Sequence, residues 1–205
     1  LIDGICQELK ITVAFLSADG GIAVFFPTKV GPIFPTEADA RSFDDARRKW
    51  VREWKPDAIL VIEKWDRYQP DDFDRRLPEL IQEFEPYTQR LIFFSQVPVL
   101  PVGESVNLRE FVTSRLMRSG SLPRMLPDKK EPIRFSVIKK IEALAKINPK
   151  LQLVRVDSPF YLQDGSIKYS SGRTFFYLDD DHLCQAGVEL LRETCFQAIA
   201  AACAL

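Results

Sequence analysis

The stretch "DAILVIEKW", residues 57–65, decides which fold this sequence can form. Its run of consecutive apolar residues has no polar alternation, which is typical of a strand buried on both faces of a parallel sheet. The flanking segments 42–54 and 71–87 have the apolar spacing of amphipathic helices. Ser42 is expected to cap the first of them, and Pro78 is expected to break or restart the second. A helix on each side of such a strand predicts crossover connections, because parallel strands cannot be joined by a tight turn.

The same alternation of strand and helix extends outward along the chain. Further apolar runs predict strands at 11–18, 90–97 and 151–157. Apolar residues at helical spacing predict further helices at 1–9, 107–117, 134–147 and 183–202. We therefore predict a three-layer α/β/α sandwich with a mainly parallel, flavodoxin-like sheet. Ligands of such folds bind outside the carboxyl ends of the strands, so the site is expected in the loops that follow them.

Composition and charge exclude several classes of protein. The chain has 205 residues, enough for one domain with a full core, which we expect to span residues 1–205. Its 28 Lys and Arg residues are balanced by 29 Asp and Glu residues, whereas nucleic-acid binders carry a basic excess. No glycine-rich phosphate loop follows a predicted strand, which disfavours a nucleotide or flavin binder. We therefore expect no nucleic-acid partner and no cofactor.

The stretch "FYLDDDHLCQAGVELL", residues 176–191, contains the only histidine of the chain, His182. Asp179 precedes it by three positions, a spacing that lets a tight loop bring the carboxylate to one ring nitrogen. Asp181 also lies close enough to the final helix to cap it, so an ordinary surface loop fits the same residues. A metal site needs more ligands, and the chain offers no second histidine. Spacing alone does not decide between a histidine oriented by Asp179 and an ordinary surface loop, and a metal site is not expected.

The same stretch resembles the C-terminal block of the SGNH (GDSL-type) hydrolases, in which Asp-x-x-His supplies two members of a serine triad. Its "DDDHL" followed by "AG" resembles in particular the SGNH domains fused to membrane acyltransferases of the acyltransferase-three family. Four further stretches resemble the strands and loops of that family in order and spacing, "ITVAFLSADGG" (11–21), "PDAILVIEKWDRY" (56–68), "RLIFFSQVPVLP" (90–101) and "LQLVRVDSPFYLQDG" (151–165). The resemblance covers nearly the whole chain.

The resemblance implies roles for individual residues. His182 would be the general base and Asp179 the carboxylate that orients it. Gly20 lies where the family's second conserved sequence block donates a backbone N–H to the oxyanion. Gly21 is close enough to take this role instead. A tight turn without a catalytic role would explain both glycines equally well.

The third conserved sequence block of the family, which corresponds to residues 63–66 of this chain, departs from the family pattern. Where the family has Gly-x-Asn-Asp, this chain has Glu63 to Asp66, so the asparagine that completes the oxyanion hole has no counterpart. Trp65 and Tyr68 follow the strand there. They are expected either to line an acyl or sugar site or to pack as buried aromatic residues.

The family's nucleophile lies in a Gly-Asp-Ser motif after the first strand, and no such motif occurs in these 205 residues. By this resemblance the chain starts, at Leu1, within the helix that follows that motif. We therefore expect a domain truncated at its N-terminus, with the first strand and the serine upstream. The piece alone is expected to be inactive and poorly folded, because an unpaired strand leaves buried orphan N–H and C=O groups.

The resemblance implies an SGNH-type serine esterase or O-acyltransferase domain that acts on acyl esters of carbohydrate. It implies an upstream membrane acyltransferase domain in the same chain, and a location on the periplasmic or extracellular face of the membrane. O-acetylation of a cell-surface polysaccharide is the expected outcome. The alternative is a non-catalytic carbohydrate-binding or scaffolding domain on the same fold, with Trp65 and Tyr68 as a stacking platform.

Overall fold

The computed structural model describes residues 1–16, 33–67, 70–103 and 106–203. This part of the chain contains six α-helices: α1 (Ile2–Leu9), α2 (Glu37–Trp54), α3 (Pro70–Phe84), α4 (Leu108–Ser119), α5 (Glu131–Ala145) and α6 (Gln185–Cys203). Its strands are β1 (Ala58–Ile62), β2 (Arg90–Phe94), β3 (Leu151–Val154), β4 (Ser170–Ser171) and β5 (Thr174–Phe175). None of the described helices has both the length and the apolar character needed to cross a membrane.

The main sheet is parallel throughout, in the order β1-β2-β3. Leu60 of β1 is in register with Ile92 of β2, and Ile92 is in register with Gln152 of β3. Helix α3 connects β1 to β2, whereas α4 and α5 lie between β2 and β3. The predicted crossover connections are therefore present, and the three carboxyl ends meet at one edge of the sheet. The remaining two strands, β4 and β5, form a separate antiparallel pair.

Two hydrophobic clusters cover the two faces of this sheet. Ile92 and Phe94 of β2 face a cluster that includes residues of α1, α4 and α6. Leu91 and Phe93 point the other way, into a cluster with residues of α2, α3 and α5. Because successive side chains of a strand alternate between faces, one fully apolar strand supports both helix layers. The predicted three-layer α/β/α arrangement is confirmed.

Three local predictions are wrong. Helix α2 begins at Glu37 rather than at position 42, because Thr36 and Asp39 form a reciprocal capping box at its N-terminus. Helix α3 continues through Pro78, where a break was expected, since the neighbouring Leu77 and Leu80 are buried and hold both parts of the helix on the core. Residues 11–16 do not form a strand, and the rest of the strand predicted at 11–18 lies outside the described residues.

The loop before α6 is attached to the carboxyl edge of the sheet by backbone hydrogen bonds. Leu100, which follows β2, donates its N–H to the carbonyl of Asp180 over 2.7 Å. Leu108 donates to the carbonyl of Leu178 over 2.9 Å, and the hydroxyl of Tyr177 donates to the carbonyl of Pro98 over 3.0 Å. These contacts bring the segment that carries the only histidine to the end of the sheet where ligands bind.

Candidate active site

Residues 178–183, the aspartate loop, form a tight turn that is closed by its own backbone. Leu178 donates its N–H to the carbonyl of His182 over 2.8 Å, and Tyr177 forms an isolated bridge with Leu183. The Asp179 carboxylate lies inside this turn and accepts the backbone N–H of Asp181 at 3.1 Å. It also accepts the backbone N–H of His182 at 2.9 Å. Aspartate favours such turns because its short side chain reaches N–H groups two or three residues ahead.

His182 turns one ring nitrogen toward the aspartates. Its Nδ1 lies 3.0 Å from Oδ1 and 3.0 Å from Oδ2 of Asp179. Asp181 Oδ1 lies at 3.0 Å from the same nitrogen. The side chain is 74% exposed, and Nε2 has no partner among the residues that the structure describes. The structure thus brings together the two residues that the sequence paired, with the second nitrogen directed away from the carboxylates.

The charge state of the aspartate loop follows from its hydrogen bonds. Partial burial opposes ionisation of Asp179, but the backbone N–H groups of His182 and Asp181 and the imidazole outweigh it, so the pKa of Asp179 is lowered. The neighbouring Asp180 is buried, and burial together with the charges of Asp181 and Asp179 raises its pKa. Asp179 is therefore ionised near neutral pH and able to accept a hydrogen bond from the Nδ1–H group.

Lys64 connects the end of β1 to the aspartate loop. Its Nζ forms an ion pair with Oδ2 of Asp181, and both side chains are largely shielded, at 25% and 15% exposed. Asp181 therefore contacts Lys64 with one carboxylate oxygen and His182 with the other. This contact joins positions that are 117 residues apart in sequence.

The aspartate loop also brings together potential ligands for a metal ion. Ligand atoms of Asp179, Asp181 and His182 all lie within 4.8 Å of one another. A metal ion there would have to compete with the Lys64 ammonium for Asp181. Such a set of donors with a fixed positive charge against one of them fits a divalent ion poorly.

Trp65 does not line a site in this structure, which corrects one of the two expectations for it. The side chain is 0% exposed, and its indole N–H donates to the carbonyl of Phe94 over 2.7 Å. Phe73 packs edge-on against the indole. The ring has no free face for a sugar or an acyl chain, so Trp65 is a core residue. Tyr68, Gly20 and Gly21 lie outside the described residues.

A buried polar network after β2 and β3 was not predicted from the sequence. Asp157 is 0% exposed and accepts hydrogen bonds from Ser95 Oγ at 2.5 Å, Arg155 Nε at 2.8 Å and Arg134 Nη1 at 3.3 Å. Arg134 also donates to the carbonyl of Gln96 over 2.7 Å. Polar residues directly after two apolar strands were the available signal, and they fix the loops that border the site.

The Gln96 side chain extends this network to the third block. Its Oε1 accepts the backbone N–H of Asp66 over 3.1 Å. The Asp66 carboxyl is 6% exposed, and neither of its oxygens has a hydrogen-bond partner among the described residues. The turn after β1 is thus positioned from the loop after β2.

The fold and this loop define a class: an α/β/α domain with a carboxylate–imidazole pair at the carboxyl edge of a parallel sheet. The chain belongs to the family of SGNH domains fused to AT3 domains, because the model of that family matches residues 1–195. No curated protein sequence matches the chain significantly.

Two solved structures are similar to this chain. The lipopolysaccharide acetyltransferase periplasmic domain of Salmonella ser. Paratyphi A superposes with a TM-score of 0.67 at 11% identity, over 97% of this chain and 77% of that one. A structure described as a putative platelet activating factor from Streptococcus pneumonia has a TM-score of 0.43 at 17% identity, over 70% of this chain and 59% of that one. The first likeness extends the agreement in fold to nearly the whole chain.

Proposed function

We propose that this chain is the SGNH-type esterase or O-acyltransferase domain of a membrane acyltransferase, acting on acyl esters of carbohydrate. The observation that carries the proposal is the contact of His182 Nδ1 with both Asp179 oxygens at 3.0 Å, made by a ring that is 74% exposed. In a neutral imidazole held in this way the proton lies on Nδ1, and the lone pair of Nε2 is directed outward. That nitrogen can then take a proton from a nucleophilic hydroxyl.

In the proposed reaction a serine hydroxyl attacks the carbonyl carbon of an acyl ester while His182 Nε2 takes its proton. Asp179 accepts the Nδ1–H and stabilises the imidazolium that forms. The imidazolium then protonates the leaving alkoxide, which leaves an acyl-serine. A carbohydrate hydroxyl or water attacks this ester with His182 as base, and the acyl group is transferred or hydrolysed.

These 205 residues contain no Gly-Asp-Ser motif, so the proposed nucleophile is a serine outside them. Gly20 is the proposed backbone donor to the oxyanion, with Gly21 as the competing position. The third block offers no asparagine as a second donor.

The setting of the proposed reaction follows from the family and from the structural neighbour. Fusion to AT3 domains supports a membrane acyltransferase domain as the partner within the same protein. The Salmonella structure is a periplasmic domain of a lipopolysaccharide acetyltransferase. We therefore infer a periplasmic or extracellular location, an acyl group delivered across the membrane, and O-acetylation of a surface polysaccharide. The proposal uses no metal or cofactor.

A non-catalytic carbohydrate-binding or scaffolding domain is the second candidate. The missing nucleophile motif and the missing third-block asparagine favour it. The burial of Trp65 weighs against it, because a stacking platform needs an exposed aromatic face and Trp65 has none.

The two candidates are separated by ester hydrolysis with the full-length protein and a chromogenic acetyl ester. We expect His182→Ala to lower kcat by about 10⁴-fold or more, and Asp179→Asn to lower it by about 10²- to 10⁴-fold, as in other triads. The asparagine variant keeps the shape of the loop but loses the charge that stabilises the imidazolium.

Asp164→Asn is a matched control for Asp179→Asn. Asp164 also forms an aspartate turn, accepting the backbone N–H of Ser166 at 3.0 Å, and it pairs with Arg124. Its variant is expected to retain wild-type turnover. Wild-type turnover in the His182 or Asp179 variant would refute the assigned roles, and a wild-type protein that binds acylated glycan without hydrolysing any ester would support the binding domain.

A further inference from the structure

Lys64 and Asp181 carry charge beside the proposed base without belonging to the Asp-x-x-His pair. Asp181 Oδ1 lies 3.0 Å from His182 Nδ1, as close as Asp179 does. The ring nitrogen therefore faces two carboxylates rather than one. Two adjacent negative charges stabilise an imidazolium more than one does.

Lys64 offsets the second carboxylate. Its ammonium contacts the Asp181 oxygen that does not face the ring, and only 25% of the lysine side chain is exposed. The pair Lys64–Asp181 has no net charge, so Asp179 remains as the net negative charge at Nδ1. The other described charged groups at this loop are Asp180, whose pKa is raised by burial and by the Asp181 and Asp179 charges, and Glu63, which accepts the backbone N–H of Lys64 at 3.0 Å.

We propose that Lys64 is a positioning residue that holds Asp181 and offsets its charge, so that Asp179 supplies the net negative charge at His182 Nδ1. The inference rests on the proposed function and names a further positioning residue for its base. Lys64 stands in the third block directly before Trp65, which occupies the place of the family's asparagine. In this chain the third block thus acts on the imidazole through Asp181.

The first test follows the chemical reactivity of His182 and does not depend on turnover. Full-length protein is treated with diethyl pyrocarbonate, which modifies neutral imidazole, and the peptide that carries His182 is quantified by mass spectrometry from pH 5 to 9. Lys64→Met should move the midpoint of modification up by about 0.5 to 1 pH unit, the size expected for one charge a few ångströms away in a largely aqueous setting. Asp181→Asn should move it down.

Opposite shifts from the two partners of one ion pair are the signature of charge compensation, since a purely structural defect would move both the same way. Lys64→Arg keeps the cation and should keep the wild-type midpoint. The double variant Lys64→Met with Asp181→Asn should return close to it. Lys140→Met is the matched control, because Lys140 is 26% exposed and pairs with Asp74 at 2.7 Å on a different part of the fold.

The second test is the pH dependence of ester hydrolysis in the same variants. Lys64→Met should lower kcat about 3- to 10-fold at pH 6 with KM unchanged, and the loss should disappear at high pH. Shifted modification midpoints without any hydrolysis in the wild type would refute the proposed function and leave the charge coupling in place. Normal hydrolysis with an unshifted midpoint in both Lys64→Met and Asp181→Asn would overturn the role of Lys64.

Discussion

Asp179 accepts N–H groups from the Asp181 backbone, the His182 backbone and the His182 ring. The first two close the turn, and the third orients the imidazole, so one side chain determines both the loop shape and the ring direction. Because these groups bind only the ionised form, they lower the pKa of Asp179 despite its partial burial. The stability that Asp179 adds is therefore complete above the pKa of an unfolded aspartate and is lost as pH falls through its lowered pKa.

The buried Asp157 gives a prediction about stability at the residue scale. Burial opposes its ionisation, but hydrogen bonds from Arg155 and Ser95 outweigh burial and lower its pKa. Asp157→Asn leaves Arg134, only 1% exposed, without one of its counter-charges. We expect a loss of about 3 kcal/mol in the free energy of unfolding at pH 7, measured by urea titration of a soluble form of the domain.

The pH dependence identifies the cause of that loss. The stability that the Asp157 charge adds is complete above the pKa of an unfolded aspartate and is lost as pH falls through the lowered pKa of the folded protein. The difference between wild type and Asp157→Asn should therefore shrink over that range. Asp45→Asn is the control, because Asp45 is 64% exposed and its pair with Arg48 at 3.5 Å contributes about 1 kcal/mol or less. An equal, pH-independent loss in both variants would contradict the role of the buried charge.

At this scale the sequence predicted the contacts that depend on short spacing and missed those that depend on tertiary neighbours. Asp179 and His182 are three positions apart, so a local turn was enough to pair them. Lys64 and Asp181 are 117 positions apart, and no local pattern links them. Trp65 had two equally good interpretations, because whether an aromatic residue after a strand is buried depends on the helix that packs over it.

At the scale of elements, α6 begins against the segment that carries the aspartate loop. A Cβ placed on Gly187 would lie 2.1 Å from the carbonyl oxygen of Phe176, and Cys184 donates its N–H to the same oxygen over 3.0 Å. Helix α6 can approach this backbone only because position 187 has no side chain. The first turn of α6 and the end of the aspartate loop are therefore held in register.

Gly187→Ala should accordingly destabilise the protein by about 1 to 3 kcal/mol through overpacking, measured by urea titration of the same domain. Gly4→Ala is the matched control, because Gly4 also lies in a helix and a Cβ there meets no atom within 4 Å. That substitution should stabilise the protein by about 0.5 to 1 kcal/mol, since alanine favours a helix more than glycine does. Stability gains in both variants would contradict the close approach at Gly187.

Apolar periodicity predicted β1, β2, β3 and all the described α-helices, in their order along the chain. It did not predict the exact residues at which these elements start and end. The strand predicted at 57–65 ends at Ile62, because Lys64 pairs with Asp181 of the aspartate loop and Trp65 starts a 3₁₀ turn. The N-terminus of α2 was misplaced because Thr36 lies in a loop rich in proline, where its capping box with Asp39 is less conspicuous than Ser42. Caps depend on side-chain geometry, which apolar spacing does not report.

At the scale of the whole molecule, the parallel sheet determines where the proposed active site lies, which is at the carboxyl ends of its strands. Turns after β1, β2 and β3 carry Lys64, Gln96 and Asp157, and the aspartate loop lies against the first of them. Among the described residues β1 pairs only with β2, and Ile62 at its end is 60% exposed.

The fold class was predictable because alternating strands and helices allow few topologies, whereas the contacts around the site depend on how loops distant in sequence meet.

The central claim is that His182 is the base for a serine nucleophile, and covalent labelling tests it most directly. Full-length protein is treated with a fluorophosphonate probe, which reacts with activated serines, and the labelled peptides are identified by mass spectrometry. We predict one labelled serine, which lies outside these 205 residues, and labelling at least about 1,000-fold slower in His182→Ala. Labelling at the wild-type rate in His182→Ala, or no labelled serine in the wild type, would contradict the account.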